Sequence, residues 1–209
     1  MKLLHIVATP RGEQSNTMQI SSVFIDQLSA KHPALEIDTL NVFDAQLPPI
    51  GNENIAAKYG MMMQQELNDE LQAVWQPIEH HVNHFLSADI YLITAPIWNF
   101  TIPYALKHYI DTIVQPGYLF RYNEQGQPEG MVQNKRMVCI TSRGGDYSEN
   151  TPMHAYDFQE PYLRAIFGFV GVYDIQFVNV QPVDINPDLR EMAVSKALAD
   201  VSTIVAELV

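Results

Sequence analysis

Short apolar runs alternate with amphipathic stretches along most of the chain. Five of these runs are rich in β-branched residues and too short for helices, which is typical of strands buried in a parallel sheet. The stretches between them repeat apolar residues at helical spacing, as Ile20, Phe24 and Leu28 do. The pattern predicts strands at residues 2–9, 35–43, 89–95, 135–142 and 173–180, and a β-hairpin at 118–132.

Local boundary signals support this division into strands and helices. Ser15 is a favoured N-cap, and His32 followed by proline ends the first helix. Pro77 lies inside a predicted helix, whereas Pro103 and Pro187 open helices, where proline is tolerated best. We therefore predict helices at residues 16–31, 56–65, 66–86, 103–114, 160–171 and 187–208.

Alternating strands and helices predict the α/β class. The expected fold is a doubly wound, five-stranded parallel sheet with helices on both faces. Five strands suit the flavodoxin-like order 2-1-3-4-5, counted along the chain. Internal repeats, low-complexity segments and linkers are not evident, so residues 1–209 are expected to form a single domain.

Composition narrows the possible partners. Hydrophobic residues make up 47% and charged residues 17%, which is enough for a sizeable core. The formal net charge of −12 disfavours nucleic acid and anionic membranes as partners. Cys139 is the only cysteine, so an intramolecular disulfide is excluded and a buried strand thiol is expected. No leader or spanning segment is evident, and a cytoplasmic, soluble protein is expected.

The loop after the first predicted strand offers an anion site. Ligands of open α/β sheets bind beyond the carboxyl ends of the strands, near the switch point. Hydroxyls at Thr9, Ser15 and Thr17, the guanidinium of Arg11 and a helix N-terminus all suit a phosphate monoester. The loop is neither GxGxxG nor GxxxxGK[ST], which argues against dinucleotide pyrophosphate and NTPase sites. Alternatively, it is an ordinary N-cap with a surface arginine.

Two further loops follow neighbouring strands of the predicted sheet. Trp98 and Phe100 could pack against a planar ring, and Asn99 could form hydrogen bonds with the polar edge of that ring. In the next loop, Arg143 adds a positive charge, and the glycines after it let backbone approach a ligand. Alternatively, the first loop packs on its own sheet and the second is a plain turn. Their joint occurrence beside the switch point favours a ligand site.

Other chemistries have weaker support. His80 and His84 lie one helical turn apart, but HExxH and a third ligand are missing, so we expect no metal. Ser142 lacks the GxSxG context of an acyl-transfer nucleophile. A receiver domain, which accepts a phosphoryl group on an aspartate, would share the sheet order. It would need aspartates in the loops after the first and third strands, which carry Thr-Pro-Arg and Pro-Ile-Trp here.

The motifs APIWNFTIPYALKHYIDTIVQPGYLFRY and TSRGG resemble those of the FMN-dependent NADH:quinone oxidoreductases, also called NADH-azoreductases. The loop TPRGEQSNT is similar to the phosphate loop of that family, and the resemblance covers nearly the whole chain. Three features depart from the family pattern. Thr9 and Thr17 stand where serine is common, Ile97 stands where methionine is common, and the segment after Gly145 is longer.

The resemblance implies non-covalently bound FMN, with NADH as electron donor. Quinones or aromatic azo compounds would then accept two electrons in a ping-pong cycle, within a homodimer whose active sites lie at the interface. No obligatory side-chain acid or base is assigned, although Tyr147 is a candidate for donating a proton or shaping the pocket. The implied FMN contacts are Thr9, Arg11, Ser15, Asn16 and Thr17 at the phosphate, Ile97, Trp98, Asn99 and Phe100 at the isoalloxazine and ribityl, and Ser142, Arg143, Gly144 and Gly145 at the pyrimidine edge. The implied substrate contacts are Phe120, Tyr122 and Phe169, to which we add Tyr147.

Two other functions remain open at this point. A non-enzymatic, flavodoxin-like electron carrier would suit the acidic composition, but the aromatic loop and the hairpin that forms the dimer in the family argue against it. An NAD(P)H-dependent FMN reductase would release its reduced flavin. Retention of FMN through desalting separates this second alternative from the oxidoreductase.

Overall fold

A five-stranded, fully parallel sheet in the order β2-β1-β3-β6-β7 forms the centre of the computed structural model. This is the flavodoxin-like order predicted from the sequence, because β6 and β7 are its fourth and fifth strands. A separate antiparallel pair, β4 and β5, is the predicted hairpin. The strands are β1 (Lys2–Val7), β2 (Glu36–Asn41), β3 (Ile90–Pro96), β4 (Phe120–Tyr122), β5 (Pro128–Gly130), β6 (Arg136–Ser142) and β7 (Asp174–Val180).

The structure describes residues 1–63 and 65–208. Gln64, predicted near the end of the second helix, and Val209, the end of the predicted domain, therefore lie outside the described residues. The helices are α1 (Asn16–Lys31), α2 (Asn52–Met62), α3 (Asp69–Leu86), α4 (Tyr104–Ile113), α5 (Gln159–Val170) and α6 (Pro187–Glu207), and short 3-10 turns cover Gly12–Gln14 and His154–Tyr156.

Helix starts show where the sequence prediction was wrong. α3 begins three residues later than predicted, because Asn68 Oδ1 accepts the N–H of Leu71 and caps the helix. Pro103 is the residue before α4 rather than part of its first turn. Pro187 does open α6 as predicted, after Asn186, whose side chain accepts the N–H of Leu189.

Two apolar clusters cover the central sheet. Side chains of successive strand residues point to opposite faces, so Leu3 and Leu4 enter different clusters. One cluster joins the strands to residues of α1 and α6, and the other joins them to residues of α2, α3, α4 and α5. In the second cluster, the rings of Phe85 and Tyr91 stack with centroids 4.1 Å apart. Both faces of β1, β3 and β6 are thereby removed from water, which explains their nearly uninterrupted apolar sequence.

Cys139 lies fully buried within β6. Burial raises the pKa of its thiol well above the usual range, since a thiolate would be desolvated there. The prediction of a buried strand thiol is confirmed. In the part of the chain that the structure describes, no helix is both long and apolar enough to cross a membrane.

A buried polar chain links β1, β3 and α1 beneath the carboxyl edge of the sheet. His5 Nε2 lies 2.8 Å from Thr94 Oγ1, which in turn lies 2.6 Å from Ser21 Oγ. All three side chains are buried. Desolvation lowers the pKa of His5 to about 4, so the ring is neutral in the folded protein at neutral pH.

We expect the buried His5 to make the protein sensitive to acid. Its pKa is about 4 in the folded protein and 6.5 for a histidine in water, so between these values the unfolded chain binds more protons. The contribution of His5 to the free energy of unfolding is therefore fully present above pH 6.5 and is lost as the pH drops towards 4. Between pH 7.5 and 5 the loss is about 2 kcal/mol of unfolding free energy, measured by urea denaturation.

The variant His5→Gln isolates this contribution. Glutamine keeps a polar atom for Thr94 but does not titrate, so the acid-dependent loss should shrink by most of that amount. His80→Gln is the matched control, because this exposed histidine can be replaced without touching the buried chain. An unchanged pH dependence in His5→Gln would refute the prediction.

Candidate functional site

The loop after β1 presents hydroxyl groups at the start of α1. Thr9, Ser15 and Thr17 are all buried, whereas Arg11 is exposed. Gly12 has φ +53, a conformation that glycine adopts without strain, and it turns the chain into the helix. The first amides of any helix lack helical acceptors and carry its positive dipole end, so they favour an anion.

Ser15 occupies the predicted N-cap position, but its hydroxyl has another role. Its Oγ lies 2.6 Å from Thr17 Oγ1, and among the described contacts it caps no amide of α1. The hydroxyls therefore hold each other at the helix start. This arrangement leaves the first-turn amides to another acceptor, which suits the phosphate that the sequence predicts.

The loop after β3 makes a tight turn with two residues in the left-handed region. Trp98 and Thr101 exchange backbone hydrogen bonds of 2.9 and 3.0 Å across the turn. The residues between them, Asn99 and Phe100, have φ of 47 and 73, as a type I′ turn requires. Asparagine tolerates this conformation, whereas phenylalanine is strained in it. Strained residues of this kind cluster at functional sites.

Packing and exposure of this turn match a surface for a flat ligand. Ile97 and Trp98 are half-buried, and Asn99 and Phe100 are exposed. The ring of Phe43 contacts the Trp98 ring, with ring centroids 5.8 Å apart. A cavity of about 450 Å³ adjoins the turn and is lined by Trp98, Asn99, Thr101, Ile102, Tyr104, Lys107 and Tyr162.

The loop after β6 is joined to the loop after β3. The N–H of Ile97 donates to the carbonyl of Ser142 at 2.9 Å. Gly144 lies against the segment that follows β7. A Cβ on this glycine would come within 2.7 Å of Asp184 Oδ2. Ser142, Gly144 and Gly145 are half-buried, so their backbone borders the same edge.

Arg143 differs from the local positive charge that the sequence suggested. Its side chain is 1% exposed, and its Nη1 lies 2.7 Å from Asp157 Oδ2. Glu160 lies 3.8 Å from Nη2. Burial lowers the pKa of Arg143 while both carboxylates oppose that shift. The charge is thus balanced inside the protein. The backbone of Arg143, and not its side chain, borders the edge that the loops form.

Comparison with known proteins agrees with this geometry. The flavodoxin-like fold family matches residues 1–205. The FMN-dependent NADH:quinone oxidoreductase of Nitratidesulfovibrio vulgaris (strain DP4) is 38% identical over 180 residues, which are 86% of this chain and 86% of that one. The FMN-dependent NADH:quinone oxidoreductase 2 of Pseudomonas syringae pv. tomato is 36% identical over 206 residues, 99% and 98% of the two chains. The chain belongs to the family of the FMN-dependent NADH:quinone oxidoreductases.

Solved structures of azoreductases share the fold over nearly the full length. The azoreductase from Bacillus anthracis str. Sterne superposes with a TM-score of 0.90 at 26% identity, covering 99% of both chains. The FMN-dependent NADH-azoreductase from Bacillus anthracis str. Ames Ancestor, solved in complex with FMN, gives 0.85 at 26% identity and covers 98% of this chain and all of that one. The family membership suggested by the motifs is confirmed.

The residues expected at the substrate face lie at two separate places in the structure. Tyr147 follows the loop after β6, where its buried ring lies 5.8 Å from the guanidinium carbon of Arg143. Phe120, Tyr122 and Phe169 instead form one aromatic cluster, with centroids 4.7 Å apart for Phe120 and Phe169 and 5.7 Å apart for Phe120 and Tyr122.

That aromatic cluster lies at the far end of α5 from the three loops. Gln159, at the start of α5, donates to the carbonyl of Pro96 at 2.9 Å. The start of α5 is therefore the end of the helix that lies beside the loops. Phe169 follows ten residues later, which corresponds to about 15 Å along a helix. A single chain therefore does not bring Phe120, Tyr122 and Phe169 to the loops.

Several residues that build the site went unnoticed in the sequence. Asp157 is 9% exposed, pairs with Arg143 and accepts the N–H of Gln159 and Glu160. An acidic residue followed three positions later by Glu, just before an apolar helix, is a recognisable helix-start signal, so Asp157 could have been found. Thr94 and the fully buried Gln159 carry no such local signal.

The two histidines weighed as metal ligands have other neighbours. His84 Nε2 lies 2.8 Å from Asp38 Oδ2, and the ring of His80 packs at 5.5 Å from that of His81. Within residues 1–63 and 65–208, no group of three or more His, Cys, Asp or Glu is placed to hold a metal ion.

Proposed function

We propose that residues 1–209 act as one doubly wound, flavodoxin-like domain that oxidises NADH and reduces quinones or aromatic azo compounds. Bound FMN would accept two electrons from NADH and pass them to the second substrate in a ping-pong cycle. The observation that carries the proposal is the junction of three loops at one sheet edge. Ala8 donates to Thr94 at 2.8 Å and Ile97 to Ser142 at 2.9 Å, which joins the ends of β1, β3 and β6.

The residues at this edge fit the chemical parts of FMN. The helix start with Ser15 and Thr17 suits a phosphate monoester, since its amides and hydroxyls are hydrogen-bond donors. The exposed Asn99 and Phe100 and the half-buried Trp98 suit a flat ring with a polar edge. The phosphate contacts would be Thr9, Arg11, Ser15, Asn16 and Thr17, the ring and ribityl contacts Ile97, Trp98, Asn99 and Phe100, and the pyrimidine contacts Ser142, Gly144, Gly145 and the backbone of Arg143.

The chain would hold the ring and exclude water rather than supply an acid or base. A turn stiffened by two cross-turn hydrogen bonds keeps Asn99 and Phe100 in place. Tyr147 could shape the acceptor pocket or donate a proton, although its ring contacts Arg143. The resemblance to enzymes named for NADH supports NADH as donor.

A homodimer would complete the acceptor site. Phe169 lies near the end of α5 with Phe120 and Tyr122 of β4 beside it, too far away to reach the loops of their own chain. Tyr122 is 54% exposed and Phe169 37%, so their rings are available to a second copy. We propose that the partner supplies these three residues to the edge formed by the loops.

Anaerobic mixing of the FMN-loaded protein with NADH tests the proposal. We expect the visible absorbance of oxidised flavin to bleach, and to return when a quinone or an azo dye is added. Protein that stays oxidised with NADH would instead be an electron carrier. Loss of flavin on desalting after reduction would favour an FMN reductase.

A further inference from the structure

An aromatic ridge borders the turn Trp98–Thr101. It consists of Phe100, Tyr156 and Phe158, which are 42%, 49% and 56% exposed. The ring of Tyr156 contacts that of Phe100 with centroids 5.2 Å apart, and the N–H of Phe158 donates to the carbonyl of Phe100 at 2.9 Å. Three neighbouring exposed aromatic side chains form an apolar patch, which on a soluble protein indicates a binding surface.

Buried contacts hold the ridge in place. Asp157 stands between Tyr156 and Phe158, and its carboxylate pairs with the buried Arg143 at 2.7 Å. The same carboxylate accepts the N–H groups of Gln159 and Glu160 at the start of α5. The backbone between the two rings is therefore anchored in the interior, and the flanking side chains project outwards. A fixed backbone lowers the entropy lost when a ligand stacks on these rings.

The ridge also constrains the strained turn. Phe100 at φ 73 adopts a conformation that needs support from its surroundings. That support comes from the cross-turn bonds of Trp98 and Thr101 and from the bond and ring contact of the ridge. Because Phe100 belongs to both the turn and the ridge, a flat molecule lying on the turn would meet the ridge at its rim.

We propose that Tyr156 and Phe158 determine which electron acceptors are used, by stacking on the outer ring of acceptors that have more than one aromatic ring. The inference rests on the proposed function, since it places the reacting part of the acceptor over the FMN ring that the turn would hold. A one-ring quinone would be covered by the flavin alone. A two-ring azo compound would extend beyond it and contact the ridge.

The double variant Tyr156→Ala/Phe158→Ala tests the inference in the FMN-loaded protein. Equilibrium dialysis of the oxidised protein gives the affinity for methyl red, a two-ring azo dye, without turnover. Steady-state assays give KM for methyl red and for 1,4-benzoquinone. We expect the dissociation constant and KM for methyl red to rise roughly ten-fold, since aromatic pairs contribute beyond their buried area. KM for benzoquinone and the rate of bleaching by NADH should change far less, because the backbone hydrogen bonds that hold the turn remain.

Matched variants separate stacking from a general disturbance. Tyr156→Phe keeps the ring and should keep the affinity for methyl red. Met192→Ala removes an apolar side chain on α6 that is 68% exposed and should change nothing. If the double variant does not fold, Phe158→Ala alone carries the test, because its side chain is more than half exposed.

Three results would overturn the inference. These are an unchanged affinity for methyl red, an equal rise of KM for both acceptors, and a smaller oligomer in sedimentation, which would make the ridge an interface between copies. Failure of the proposed function looks different, because the unmodified protein would then not bleach with NADH. Dialysis would still report whether the ridge binds the dye.

Discussion

Asp157→Asn is expected to lower the free energy of unfolding by about 3–5 kcal/mol, the range for breaking one side of a buried ion pair. Arg143 is 1% exposed, and Asp157 is its nearest carboxylate at 2.7 Å. Asparagine has nearly the same shape and can still accept the N–H of Gln159, so packing and the helix start are preserved. The guanidinium, however, loses its balancing charge, and Glu160 at 3.8 Å replaces it poorly.

Urea denaturation at neutral pH measures this loss. Asp200→Asn is the matched control, because Asp200 pairs with Lys196 on the exposed side of α6 and should change stability by only about 0.5 kcal/mol. A second variant, Arg143→Met/Asp157→Asn, removes both charges but keeps an acceptor for the amides at the start of α5, so it should recover most of the stability, since no buried charge is left unpaired. A loss below about 1 kcal/mol in Asp157→Asn would show that the pair is not isolated from water.

The architecture was predictable because its signals are local and repeated. Strands buried on both faces must be continuously apolar, as β1, β3 and β6 are, and five predicted strands separated by helical periodicity leave few possible topologies. The loops after β1, β3 and β6 could then be placed at one edge before any contact was known. Errors in helix starts, such as the later start of α3 at the cap Asn68, reflect capping by single side chains.

The remaining parts of the site depend on contacts that leave no local pattern. Arg143 lies in a polar, glycine-containing stretch that reads as surface, and only the fold brings it to Asp157. The left-handed φ of Phe100 contradicts the preference of its residue type, so the tight turn at Asn99 and Phe100 was not predicted. The roles proposed for Phe120, Tyr122 and Phe169 would need a second chain, whose position cannot be read from one sequence.

Ser15→Ala/Thr17→Val is expected to weaken FMN binding by at least about ten-fold, because the bonded pair has one hydroxyl proton free for the phosphate and a hydrogen bond to a charged group contributes about 1.5–3 kcal/mol. The two hydroxyls lie 2.6 Å apart, so removing both leaves no orphaned partner in the buried helix start. Valine also matches threonine in shape. Stability should therefore change little while the hydroxyl donor to the phosphate is lost.

Riboflavin identifies which part of the ligand the change affects. It has the same ring and ribityl chain as FMN but no phosphate, so its affinity should be the same for the double variant and the unmodified protein. Fluorescence titration of deflavinated protein gives both affinities, with Ser22→Ala as control, since Ser22 is exposed on α1 and its hydroxyl bonds Met18. Equal losses for FMN and riboflavin would place the hydroxyls under the ring instead. Unchanged FMN affinity would show that the phosphate does not lie at the start of α1. The assignment of the three loops to the parts of the cofactor would then have to change as well.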